Sequence, residues 1–178
     1  FVFGFGLIFP FEHFLPLPLT QSWLYPAMGA AMGAAGVLYN KALLGTKNFE
    51  ALHTPLSQNW RILPPLLAAF VLAFLFPCVL GGGEHLVKEL NELAGNPLTL
   101  LKFLLLLGVI KISFALFSYT GNVPGGILMP MLCIGAVLGA FCGQTFLAAG
   151  IIYPEAWQTF IIYGMVGFFV SMVRVPLT

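Results

Sequence analysis

The sequence predicts an all-α, polytopic membrane protein, and three observations carry that expectation. Hydrophobic residues fill 60% of its 178 positions, charged residues only 7%, and the mean hydropathy is +0.98. Against about 25% charged residues in an ordinary soluble domain, so few polar groups cannot cover a globule in water, whereas a lipid-facing surface does not need them. Apolar runs near the ~20 residues that a helix needs to cross a bilayer recur along the chain. Between them lie Gly, Pro and polar clusters that end one helix and begin the next.

Charge and cysteine usage narrow the function classes. Seven Lys/Arg against six Asp/Glu leave a net charge of +1, and the basic residues are scattered singly, so there is no footprint for nucleic acid. Cys78, Cys133 and Cys142 lie in apolar runs with no CxxC spacing, which reads as packing rather than a disulfide framework or zinc site. No metal or organic cofactor is called for. The chain opens on Phe1 inside an apolar stretch and stops after Thr178 without a polar tail, so residues 1–178 read as part of a transmembrane domain truncated at both ends.

The elements follow in order. Residues 1–11 are too short to span alone, and Pro10, Pro16 and Pro18 with Glu12 and His13 make a connection at one membrane face. A first span is expected over 22–44, with Trp23 and Tyr25 at its interfacial start. Gly29, Gly33 and Gly36 in its middle allow close helix packing. Residues 41–61, holding Lys41, Lys47, Glu50, His53 and Arg61, read as a polar connection on the cytoplasmic side. A second span is expected over 61–80, with Pro64 and Pro65 in its first turn, where their missing N–H groups are harmless.

Gly81, Gly82 and Gly83 end that span and lead into a short amphipathic helix over 84–94, with Leu86, Leu90 and Leu93 on one face. Its Glu84, His85, Glu89 and Glu92 lack metal-ligand spacing and read as a solvated face. Pro97 opens a third span over 98–119. Lys102 can snorkel from its end, but Lys111 sits deep, where a charge is expected to face protein, a polar crevice or headgroups instead of acyl chains. Further spans are expected over 127–148 and 156–173.

The chemistry concentrates between the third and fourth spans. Residues 121–130 read Gly-Asn-Val-Pro-Gly-Gly-Ile-Leu-Met-Pro, a Gly/Pro break embedded in apolar sequence. Irregular backbone at membrane depth survives only where protein buries it or where it lines a watery cavity. Pro130 falls in the first turn of the next helix, whose leading N–H groups find no carbonyl one turn earlier. Those donors and the positive end of the helix dipole make an anion site without a formal charge. A lysine in contact would hold a small anion too tightly for rapid release, whereas partial charges let it go. A plain helix-start loop is the bland alternative.

The run Pro124-Gly125-Gly126-Ile127-Leu128-Met129-Pro130, followed by Gly135, Gly139 and Gly143, resembles the G-x-F-x-P region of the chloride channel (CLC) family of channels and chloride/proton antiporters. Gly81-Gly82-Gly83 upstream and Arg174-Val175-Pro176-Leu177-Thr178 downstream match two more of its landmarks in order and spacing. The resemblance implies a partial inverted-repeat fold with broken, tilted helices, from the C-terminal half of the family's membrane domain. It further implies a homodimer in the cell membrane with one pathway per subunit for chloride or similar anions, with protons as the second substrate in an antiporter. By that resemblance the anion-binding residues are Gly126, Ile127 and Leu128, the last two through backbone amides. Leu128 stands where the family usually has Phe, and Met129 where it has a small residue, which bears on the shape of the site. The GSGIP and GREGP segments that complete the family's pathway are not found here, so the sequence leaves channel and antiporter both open. An enzyme reading finds no catalytic group in a span, and a structural assembly subunit built on small-residue faces is the remaining alternative.

Overall fold

The structure, a computed structural model, describes residues 21–53, 62–75, 97–119, 128–153 and 156–173. Five α-helices form within them: α1 (Leu24–His53), α2 (Leu63–Leu75), α3 (Pro97–Ser118), α4 (Leu128–Ala148) and α5 (Trp157–Val173). No strand occurs among the described residues. The all-α expectation therefore holds, and the five expected spans match five helices within a few residues at most ends. The short helix expected over 84–94 lies outside the described residues.

The largest departure is α1. Its 30 residues run past the expected end at 44 and absorb most of the segment read as a polar connection. At 1.5 Å per residue it is about 45 Å long, more than the ~30 Å hydrocarbon core. A helix need not stop where it leaves lipid: residues 45–53 contain no proline, and the Thr46 hydroxyl donates back to the Leu43 carbonyl at 2.8 Å without breaking the turn. Lys47, Glu50 and His53 thus sit on helix and not in a polar connection.

Two helices, Leu100–Ser118 within α3 and all of α4, are long and apolar enough to cross a membrane. Packing proceeds in the sequence α1, α5, α4, α3, α2 across the molecule. α4 is the centre of this array, with Cys133, Ile134, Ala136, Val137 and Ala140 all buried. Peripheral α2 shows the reverse, with Leu66, Leu67, Phe70 and Phe74 mostly exposed. Pro64 and Pro65 do sit in its first turn, where the Leu66 N–H reaches the Ile62 carbonyl at 3.2 Å.

The α4/α5 interface is made by glycines. A Cβ added at Gly135 would lie 2.6 Å from the Gly164 carbonyl oxygen, one at Gly143 would lie 2.9 Å from that of Trp157, and one at Gly139 would collide with the Phe160 carbonyl. Gly164 answers from α5, where a Cβ would strike Gly135 and Gly139. Without side chains between them, the two backbones touch, which multiplies the dispersion contacts that hold helices together in lipid. Around this seam Phe160, Ile161 and Phe168 are completely buried, and Phe146 packs on Phe160 with ring centroids 5.5 Å apart.

α4 ends in a turn that closes the hairpin to α5. Gly150 adopts a φ of 70°, the Ile151 N–H bonds the Phe146 carbonyl and the Gly150 N–H bonds that of Leu147, both at 3.0 Å. This is a Schellman cap, which satisfies two carbonyls that the helix end leaves orphaned. The Gln21 side chain then donates to the Ile151 carbonyl at 2.6 Å, pinning the start of α1 to the same turn.

Candidate anion site at the start of α4

α3 and α4 run antiparallel. Gly108 on α3 faces Val137 on α4, whose methyl carbon lies 3.3 Å from where a Cβ at Gly108 would be. One turn further along α3, Lys111 lies next to Cys133, one turn nearer the start of α4. The C-terminus of α3 and the N-terminus of α4 therefore lie at the same end of the pair, on either side of the Gly/Pro break.

Leu128, Met129 and Pro130 are the first three residues of α4, so Pro130 occupies the first turn as expected. Helix geometry leaves the leading N–H groups without intrahelical carbonyls. Among the described residues those donors are Leu128 and Met129, since Pro130 has no N–H. No acidic side chain stands in this turn to repel or replace an anion. Leu128 is 49% exposed, whereas Met131 and everything from Cys133 to Val137 is buried, so the end of the helix is open and its body is closed. Of the three residues expected to bind the ion, Leu128 is placed at this open end; Gly126 and Ile127 lie outside the described residues.

Two features were only half legible beforehand. Lys111 was marked by its depth in the span, and the structure buries it to 3% exposure against protein, as expected. Its partner was missed, although Leu100, Leu104, Leu107, Lys111 and Ala115 form one helical stripe that had to face a neighbouring element. Cys133 is buried and Cys142 half-buried, both as free thiols in helix packing; Cys78 lies outside the described residues.

An all-α membrane protein is thus defined, with an apolar central helix that begins at Leu128, directly after a Gly/Pro-rich run of sequence. The chain belongs to the voltage gated chloride channel family, whose sequence profile matches residues 1–178. Among its relatives is the H(+)/Cl(-) exchange transporter ClcA of Cronobacter sakazakii, 32% identical over 168 residues, or 90% of this chain and 34% of that protein. The like-named transporter of Klebsiella pneumoniae subsp. pneumoniae is 30% identical over 164 residues, and that of Salmonella typhi 29% over 167, with the same coverage of both chains. The chain spans about a third of the length of these curated relatives.

Proposed function

We propose that the protein containing this chain carries chloride or similar monovalent anions across the cell membrane as a multi-pass homodimer, with the anion held at the start of α4. The backbone N–H groups of Ile127 and Leu128 bind the ion, and Gly126 clears the approach to them. The observation that carries this reading is a helix that starts at Leu128 within apolar sequence, with leading amides that have no intrahelical carbonyl and no acid in its first turn. Proton-coupled antiport is favoured over a channel because the relatives named above are H(+)/Cl(-) exchangers.

Partial charges suit this task. Each amide offers a fraction of an elementary charge, so the site attracts an anion yet releases it, which conduction or exchange requires. The test is chloride flux in liposomes holding the complete protein. Gly126→Val puts a branched side chain where the ion approaches and should reduce flux at least tenfold. Leu128→Phe changes only a side chain while the coordinating amide stays, and should be tolerated. Unchanged flux and chloride binding in Gly126→Val would overturn this assignment.

A further inference from the structure

Four aromatic side chains with polar tips gather at the end of the bundle where α4 turns into α5, opposite the start of α4. Trp23, one residue ahead of α1, is 57% exposed, and Tyr153, in the connection from α4 to α5, is 67% exposed. The Gln21 bond to the Ile151 carbonyl brings the chain just ahead of Trp23 against the chain just ahead of Tyr153. Further inward, Tyr25 on α1 and exposed Tyr163 on α5 meet edge to face, with ring centroids 4.8 Å apart. Each of these side chains joins an apolar ring to an N–H or O–H donor, the combination that suits a boundary between hydrocarbon and water.

What lies beyond them fixes the plane of that boundary. From Trp23 to exposed Lys41 the chain rises about 27 Å at 1.5 Å per residue. Every exposed residue of α1 from 26 to 38 is Pro, Ala, Gly, Val or Leu, and the exposed residues of α5 beyond Tyr163 are Val166, Val170 and Val173. An apolar band between an aromatic row and a lysine therefore has the height of the ~30 Å hydrocarbon core. A protein partner would not impose that height; a bilayer does. We propose that Trp23, Tyr153 and Tyr163 are an interfacial anchor that binds the headgroup and ester layer of one phospholipid leaflet and fixes the depth of the turn between α4 and α5. The Trp23 N–H and the Tyr153 O–H donate to lipid phosphate and ester oxygens while their rings cover the upper acyl chains. Tyr25 holds the Tyr163 ring at the inner edge of this layer. Because the glycine seam ties α4 to α5 and Gln21 ties α1 to their turn, the anchor sets the height of three helices as one unit, whether or not an anion binds at the other end of α4.

The test is the depth of nitroxide spin labels on the complete protein in liposomes of phosphatidylcholine and phosphatidylglycerol. Depth is read from collisions with oxygen, which concentrates in hydrocarbon, and with a nickel chelate, which stays in water. Labels are attached one at a time to Trp23→Cys, Ala34→Cys, Lys41→Cys and Tyr153→Cys in a background without other reactive cysteines; all four positions are exposed, so the label needs no repacking. Positions 23, 41 and 153 should report the headgroup layer, and position 34 should lie about 16 Å deeper than position 23. Water access at position 34 overturns the proposal, because no bilayer then covers this face. Shielding of positions 23 and 153 from both probes overturns it too, since protein, from elsewhere in the chain or from a second copy, then lies over them. Anchoring is read separately with the label kept at position 34. Trp23→Leu combined with Tyr153→Leu should change its depth by about 3 Å or more, the rise of two helical residues. Trp23→Tyr combined with Tyr153→Trp keeps a polar-tipped ring at each place and should leave the depth unchanged. An unchanged depth in the leucine pair would mean that these side chains lie at the interface without fixing it, which overturns the anchor.

Discussion

Gly139 gives the sharpest test of how this fold is held together. A methyl group there would meet the Phe160 carbonyl oxygen and lie 3.0 and 3.1 Å from the Cα atoms of Gly164 and Ile161. All three obstacles are backbone atoms of α5, so no side-chain rotation relieves the clash and the two helices must separate. Overpacking of a well-filled site costs about 1–3 kcal/mol, and a purely backbone collision puts Gly139→Ala at about 3 kcal/mol. Helix propensity returns at most about 1 kcal/mol of this. The control is Gly45→Ala in α1, where a Cβ would have nothing within 4 Å and the substitution should be neutral or stabilising by up to about 1 kcal/mol. Denaturant titration of the complete protein in detergent micelles, followed by tryptophan fluorescence, measures both. Equal midpoints for the two variants would refute a glycine seam between α4 and α5.

Two further outcomes follow from the same helix packing. Gly150→Ala should destabilise by about 1 kcal/mol and Gly150→Asn by less, since a Cβ there meets nothing within 4 Å and the only penalty is the φ of 70°; the denaturation midpoint checks it. In single-cysteine variants, a membrane-permeant maleimide should label half-buried Cys142 at least tenfold faster than Cys133, whose relative exposure is 2%.

Composition and run length were enough to read five helices, because lipid forces each apolar segment to satisfy its own backbone. They failed at residues 45–53. Charge density marks only the end of the hydrocarbon; what ends a helix is a cap, a proline or a left-handed residue. The glycine spacing in α4 was plain, but its use was not, because Gly164 and Phe160 come from a segment that the sequence does not pair with it. Cys133 went unnoticed as the partner of Lys111 for the same reason. The start of α4 was legible because Gly-Gly and Pro130 act locally: they fix where a helix begins and how closely anything can approach it.

That local signal becomes a site only if the helix behind it is held still. Positions 133 and 137 differ from 135 and 139 by two residues, about 200° around an α-helix, so the face toward α3 and the face toward α5 are nearly opposite. α4 is therefore clamped between two neighbours, by Val137 against Gly108 and Cys133 against Lys111 on one side and by Gly135, Gly139 and Gly143 on the other. A clamp of this kind matters more for dipoles than for charges. An ammonium attracts an anion from any direction, whereas an amide loses its grip as soon as its N–H turns away, and fixed donors need no reorganisation when the ion arrives. It also weighs against the reading of the chain as an assembly subunit, because the glycine ladder that would serve a partner is already occupied by α5 of the same chain. The small residues in α4 hold against α5 the helix that presents Leu128, itself 49% exposed at the helix start.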